Sequence, residues 1–138
     1  MNTLFICKHN RFRSKIAEAY MNKLIREDKT SKSRKIHVQG AGLIPGKQVV
    51  LNVVEISDKL GFKITNRKSR ALTEQLLAWG DIVVVVANNV PPFLFETGKN
   101  KVIQWKIPDT TQNDRKRIEQ ISKSIINKVD EFYAKLKH

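Results

Sequence analysis

The residue types best suited to chemistry stand within the first fourteen positions. Cys7, the only cysteine, ends the apolar run Leu4-Phe5-Ile6; five residues, Lys8-His9-Asn10-Arg11-Phe12, then lead to Arg13 and Ser14. A helical pattern opens at Ile16-Ala17-Glu18-Ala19-Tyr20. The order predicts strand, loop, helix, with a thiol at the strand end and a guanidinium at the start of the helix. Five residues suit a backbone ring whose N–H groups point inward, and such a nest at a helix N-terminus binds anions. Arg13 adds a planar fork that matches two oxygens of a phosphate. The same positive field favours the thiolate, which is the nucleophilic form. A thiolate beneath a bound phosphate can attack phosphorus and form a phosphocysteine, dividing one hard hydrolysis into two steps. A lone cysteine is by default a small buried hydrophobe. The Cys-x5-Arg-Ser spacing between strand and helix reverses that preference.

This stretch resembles the low-molecular-weight protein tyrosine phosphatases. Their loop also follows the first strand and reads Cys-x-Gly-Asn-x-x-Arg-Ser, before a helix containing Ala-Glu. Cys7, Asn10, Arg13 and Ser14 match, and so do Ala17-Glu18-Ala19. The resemblance implies Cys7 as nucleophile and Arg13 as phosphate clamp. Asn10 and Ser14 would hold the loop shape and help the thiolate, and Lys8, His9, Arg11 and Phe12 would complete the substrate-binding loop. Three positions depart from the pattern. His9 replaces the glycine, which predicts a non-glycine residue at positive φ, a conformation His tolerates better than most. Arg11 stands where the family often has a small or apolar residue at the pocket edge, and Phe12 where many members have a second cysteine.

A second chemical signal is Trp105-Lys106-Ile107-Pro108-Asp109. Spacing alone leaves Asp109 even between a turn or helix cap and a reacting group. The family carries its general acid in an Asp-Pro loop just after the last strand, so the resemblance implies that role for Asp109, although Thr110 follows it. Such an acid protonates the leaving oxygen and then acts as base on the water that hydrolyses phosphocysteine, a transfer typically worth about 10²–10⁴-fold. Asp114 is the fallback, placed by its pattern in the first turn of the next helix, where it suits the dipole. Thr110 and Thr111 stand where many relatives have tyrosines. Leu43-Ile44-Pro45 supplies no aromatic residue where the family lines the phenyl ring of its substrate. Arg67 falls where the family has a loop-supporting histidine, within a stretch whose Ser69-Arg70 and Leu72-Thr73 fit the pattern.

The elements that must position these groups follow from periodicity. Arg13 to about Asp28 predicts a helix with Ile16, Tyr20 and Leu24 toward the core. Ile36–Gln39 predicts a strand, and Gly40-Ala41-Gly42 after it is small enough to let the backbone pass close to the loop; Gly40 replaces a serine of the family. The run Lys29–Lys35 predicts a polar surface loop. Gln48–Leu60 predicts a helix stopped by Gly61, with Val49, Val53, Ile56 and Leu60 on one face. Asp81–Ala87 is a strand apolar on both faces, as in the middle of a parallel sheet. Pro91-Pro92 opens a turn or short helix, and Lys101–Trp105 is the last strand. About Asn113 to Leu136 is a helix whose stripe of Ile118, Ile121, Ile125, Val129, Phe132 and Leu136 packs on the sheet. Strands alternating with helices predict a parallel sheet with right-handed crossovers and a site at the carboxyl ends of the strands. The resemblance makes this an α/β three-layer sandwich around a four-stranded parallel sheet, of the low-molecular-weight phosphatase (flavodoxin-like) type, with residues 1–138 as one phosphatase-like domain.

Composition bounds the partners. At 138 residues, with 41% hydrophobic and 28% charged, the chain suits one globular domain with a core of its own. A single cysteine forms no internal disulfide and no cysteine-based zinc site. The three histidines, His9, His37 and His138, are scattered, so no metal site is expected. Met1-Asn2-Thr3 leads straight into the first strand, which leaves no room for a signal peptide, and the apolar run Ile82–Ala87 is too short to span a membrane. A cytoplasmic, reducing location is expected. Lys+Arg 26 against Asp+Glu 13 gives +13, which favours anionic partners. The basic residues are spread out with few aromatics among them, so nucleic acid is not favoured over a phosphorylated protein or small phosphate ester. Together with the resemblance, this leads to a cofactor-free, monomeric, cysteine-dependent phosphatase of phosphate monoesters, with protein phosphotyrosine as the family default. The alternatives are an arsenate reductase that uses an external thiol, since one cysteine cannot relay a disulfide, and a non-catalytic anion- or nucleic-acid-binding module on the same scaffold.

Overall fold

The computed structural model describes residues 1–137. Strands β1 (Asn2–Cys7), β2 (His37–Gly42), β3 (Ile82–Val86) and β4 (Lys101–Trp105) form one parallel sheet in the order β2-β1-β3-β4. The two inner strands are the two most apolar segments of the chain. All five residues of β3 are buried, as is β1 from Thr3 onward. Side chains alternate between the faces. Phe5, Val84, Val86 and Trp105 pack with Ile16, Met21, Val53, Ile118, Ile125 and Val129 from helices α1 (Arg13–Glu27), α2 (Leu51–Lys59) and α4 (Arg115–Leu136). Leu4, Ile6, Val83 and Val85 face the other way, against Phe95 of the 3-10 turn Pro92–Phe95 and Leu76 and Leu77 of α3 (Glu74–Trp79). The result is the expected three-layer α/β arrangement. Among the described residues, no helix is long and apolar enough to cross a membrane.

The stripe on α4 is buried from Ile118 through Phe132, with Leu136 packed at its edge. Some details differ from the periodicity, and β3 is a residue shorter at each end than Asp81–Ala87. Strand β2 begins one residue late and runs on to Gly42, because β1 imposes its own ladder: Phe5 pairs with Gly40, Ile6 with Ala41 and Cys7 with Gly42. Helix α2 begins at Leu51 rather than Gln48. Gln48 is held extended in an antiparallel bridge with Lys68, and the Val49 N–H donates to the Arg67 carbonyl at 2.7 Å. The basic run ending at Lys35 is more than a surface loop. It closes with the 3-10 turn Ser33–Lys35, and the buried Ser33 hydroxyl donates to the carbonyls of Asp28 and Thr30.

The strand order sets the site. After β1 the chain runs outward to β2, then crosses back to β3 on the far side of β1. A crevice therefore opens beyond the carboxyl ends of β1 and β3, where such sheets bind ligands. Cys7 is the last residue of β1.

Candidate active site

The loop from Cys7 to Arg13 turns on Asn10, the only non-glycine residue at positive φ among those described (φ 51). His9 does not take the positive φ expected of it; asparagine tolerates that conformation well. The neighbouring strand leaves no room for a side chain. A Cβ on Gly42 would lie 2.7 Å from the backbone carbon of His9 and 2.8 Å from the Asn10 nitrogen. On the same side, the segment after β2 is zipped to the loop: the amides of Leu43, Ile44 and Gly46 donate to the carbonyls of Cys7, Lys8 and His9.

Asn10 is fully buried and satisfied from three directions. Its Nδ2 donates to Ser14 Oγ at 2.7 Å, its Oδ1 accepts the Arg70 N–H at 2.8 Å, and its carbonyl lies 3.0 Å from the Ser69 hydroxyl, which is shared with the Lys47 carbonyl. Ser14 Oγ also lies 2.9 Å from Cys7 Sγ. An amide NH₂ only donates, so the serine oxygen accepts from Asn10 and keeps its own hydrogen, which it donates to the sulfur when Cys7 is a thiolate. The Asn10 N–H points at the same sulfur at 3.3 Å. A Cys7 thiolate thus has two donors within reach, the Asn10 N–H and the Ser14 hydroxyl, from residues three and seven positions away. Arg67 does not support the loop as expected. It is exposed and takes part through its carbonyl only. Ser69 and Arg70 fill that place because Ala71 bridges to Gly42 and the Leu72 N–H donates to the Gly42 carbonyl. Those backbone bonds carry no sequence signature. Gly40 is filled in by its neighbours: a Cβ there would lie 3.1 Å from Glu18 Oε1 and 3.3 Å from Asn10 Nδ2. Burial pushes the Glu18 carboxyl up, against the opposing charges of Lys15 and Arg70. Burial likewise pushes the Lys15 amine down.

Arg13 opens α1 and is 2% exposed. Its Nη1 donates to the Ile107 carbonyl at 2.9 Å; its Nη2 donates to Asn89 Oδ1 at 3.1 Å and approaches Asp109 Oδ2 at 3.5 Å. Asn89 was not among the residues expected here. It follows β3, and only the crossover brings it beside a residue 76 positions earlier. Asp109 is 40% exposed, and its Oδ1 accepts the Thr110 N–H at 2.9 Å. Asp114, the fallback, is spent on α4: its Oδ1 caps the helix by accepting the Arg117 N–H at 3.0 Å.

A cavity of about 150 Å³ opens over the loop, bounded by Cys7, His9, Arg11, Phe12 and Arg13 and by the segment from Asp109 to Gln112. Of the expected residues, Cys7, His9, Arg11, Phe12, Arg13 and Asp109 meet there. Asn10 and Ser14 lie behind the sulfur, where they shape the loop. Lys8 does not line the cavity, because its backbone turns toward Ile44. Phe12 contributes to the cavity wall while only 3% exposed, as part of the core.

The family model described as low molecular weight phosphotyrosine protein phosphatase matches residues 2–138. Among curated proteins no sequence relative matches the chain. Among solved structures the chain is similar to a low molecular weight phosphotyrosine phosphatase from Vibrio cholerae O395, with 15% identity, a TM-score of 0.85, and coverage of 98% of this chain and 95% of that one. It is similar to the YwlE arginine phosphatase from Geobacillus stearothermophilus, with 16% identity, a TM-score of 0.80, and coverage of 98% and 92%. It is also similar to a thioredoxin-dependent arsenate reductase from Corynebacterium glutamicum, with 22% identity and a TM-score of 0.76. That match covers 98% of this chain but only 61% of the reductase. These likenesses show a shared fold.

Proposed function

The chain belongs to the low molecular weight phosphotyrosine protein phosphatase family, and from that premise we propose that it hydrolyses phosphate monoesters through a phosphocysteine intermediate. Cys7 Sγ attacks phosphorus and the ester oxygen departs with a proton from Asp109. Asp109 then takes a proton from water, whose oxygen attacks the phosphocysteine and releases phosphate and the Cys7 thiolate. Arg13 and the loop amides hold the equatorial oxygens throughout. Phosphoryl transfer asks mainly for positioning and charge stabilisation, which fixed donors supply. Phosphotyrosine in proteins is the substrate that the family name suggests, and a catalytic thiol of this kind works in a reducing, cytoplasmic setting.

The observation that carries this reading is the buried guanidinium that lines the same cavity as Cys7. Arg13 is 2% exposed, yet its partners are one carbonyl, one carboxamide and a carboxylate at 3.5 Å. A buried cation is costly unless well paired, and phosphate oxygens in the cavity would complete that pairing. The two hydrogen-bond donors at Cys7 Sγ support the thiolate in the same way.

The test is hydrolysis of p-nitrophenyl phosphate under reducing conditions. The wild type is expected to turn over, Cys7→Ala to abolish turnover, and Asp109→Asn to lower kcat by about 10²–10⁴-fold. Phosphate and vanadate should compete with substrate. Absence of wild-type turnover, or undiminished turnover in Cys7→Ala, overturns the reading.

A further inference from the structure

Arg11 bounds the cavity, yet the proposed chemistry makes no use of it. Its stem lies against backbone: a Cβ on Gly46 would fall 2.2 Å from Arg11 Cδ and 2.7 Å from Cγ. Gly46 is itself fixed, since its N–H donates to the His9 carbonyl at 2.9 Å. Arg11 Nε donates to the Gln48 carbonyl at 3.4 Å, and among the described residues this is the only hydrogen bond of the side chain. No carboxylate pairs with it among the described residues. The guanidinium is therefore held at its stem while its two terminal amino groups remain without a protein acceptor. The contact of its stem with Gly46 and the long Nε bond restrict the side chain, which lowers part of the entropy that binding would otherwise remove.

The surrounding wall favours the same ligand sign. His9 Nδ1 lies 2.8 Å from the Ile44 carbonyl, which only accepts, so this side of the ring donates to backbone and brings no negative charge to the wall. Thr110, Thr111 and Gln112 are neutral. The only acidic residue of the cavity is Asp109, and Arg13 partly offsets it. Two guanidinium groups thus face one carboxylate. Arg13 serves the reacting phosphate, which leaves Arg11 for another anion.

We propose that Arg11 forms a second anion subsite at the cavity mouth, so that the preferred substrate is a phosphate monoester carrying a further acidic group within a few bonds of the reacting phosphate. The subsite rests on reading this cavity as a phosphate-binding site. It also disfavours substrates whose reacting phosphate sits beside a positive charge, by like-charge repulsion.

The test uses phenyl phosphate, 3-carboxyphenyl phosphate and 3-(aminomethyl)phenyl phosphate. Binding is read by calorimetry at low salt in the Cys7→Ala protein, where no turnover interferes, and hydrolysis is read in the wild type. The carboxylated ester should bind about tenfold tighter than phenyl phosphate, as expected of a charge-assisted pair, and the aminomethyl ester more weakly. Adding Arg11→Leu should bring the carboxylate preference below about twofold, while Arg11→Lys should retain part of it. Equal binding of all three esters overturns the proposal, as does a preference that survives Arg11→Leu. Should Arg11→Leu fail to fold, Arg11→Gln provides the same comparison. An intact binding preference with no hydrolysis of any ester leaves the subsite standing and removes the phosphatase reading. Failure to bind any of the three removes both.

Discussion

At Cys7 the hydrogen inventory decides more than distance does. Ser14 Oγ receives Asn10 Nδ2 and keeps its own hydrogen, which a Cys7 thiolate, having none of its own, accepts. Hydrogen bonds to a charged group are worth about 1.5–3 kcal/mol. Ser14→Ala should therefore lower kcat for p-nitrophenyl phosphate by roughly tenfold to a hundredfold, with a much smaller change in KM. Alkylation of Cys7 by iodoacetamide should slow alongside it. Unchanged kcat in the alanine variant would mean that the hydroxyl does not serve the sulfur. Cys7, Asn10, Arg13 and Ser14 could be read from the sequence because one strand end, one turn and one helix start hold them together. Ser69 and Arg70 were visible only through the resemblance, which did not say what they bond, and Asn89 was not visible at all, since they reach the same spot from 59, 60 and 76 positions away.

The strand β2 shows how one element disciplines another. Glycines weaken a strand and pack nothing, so Gly40-Ala41-Gly42 reads as the end of β2. The ladder with β1 nevertheless carries pairing through Gly42. The gain is proximity, since the loop backbone passes where the side chain at position 42 would be. Gly42→Ala should cost about 1–3 kcal/mol of stability by forced displacement and should depress kcat by moving Asn10. Gly40→Ala should do less on both counts, because its nearest neighbour is the end of the Glu18 side chain at 3.1 Å rather than backbone. Urea midpoints and p-nitrophenyl phosphate kinetics for the pair check this, and equal losses would contradict the distances. The start of α2 illustrates the converse. Val49 and Val53 keep helical spacing, yet the bond from Val49 N–H to the Arg67 carbonyl holds the first of them extended. Periodicity locates buried faces better than it locates the hydrogen bonds that end an element.

At the scale of the whole molecule, the ends of α1 and α4 are tied through Asp28. Lys137 Nζ lies 2.6 Å from Asp28 Oδ2, the Tyr133 hydroxyl donates to the same oxygen at 2.8 Å, and the Thr30 N–H donates to Oδ1 at 2.9 Å. Lys137 foremost, then the Thr30 amide and Tyr133, hold the Asp28 carboxyl well below the usual range. Burial chiefly, with Asp28 beside it, pushes the Tyr133 phenol up to about 12. A carboxyl whose folded value is depressed stabilises the fold fully above its unfolded value, about pH 4, and loses that contribution as pH falls toward the folded value. Asp28→Asn should accordingly lower Tm at pH 7 by more than at pH 2, where part of the contribution is already lost, flattening the acid limb of stability. An equal loss at both pH values would show that the tie is not electrostatic.

The amino-acid order by itself determined the alternation of strands and helices, the buried middle strand β3, and the loop from Cys7 to Arg13 at the carboxyl end of β1. Each of these is a matter of spacing within a few residues, where side-chain periodicity and loop length act directly. Asp109 stands out only through the resemblance, since its spacing alone leaves it even between a turn and a reacting group. Only the tertiary structure decided that Asn10 rather than His9 takes the left-handed turn, and that Asn89 holds Arg13. The same is true of Lys8, which turns away from the cavity, and of Arg11, which lies pinned along Gly46 facing into it. Those outcomes depend on which backbone groups already have partners when β2, β3 and the segment around Arg70 close around the loop. Satisfying buried donors and acceptors is a property of the assembled chain, and no local pattern specifies it.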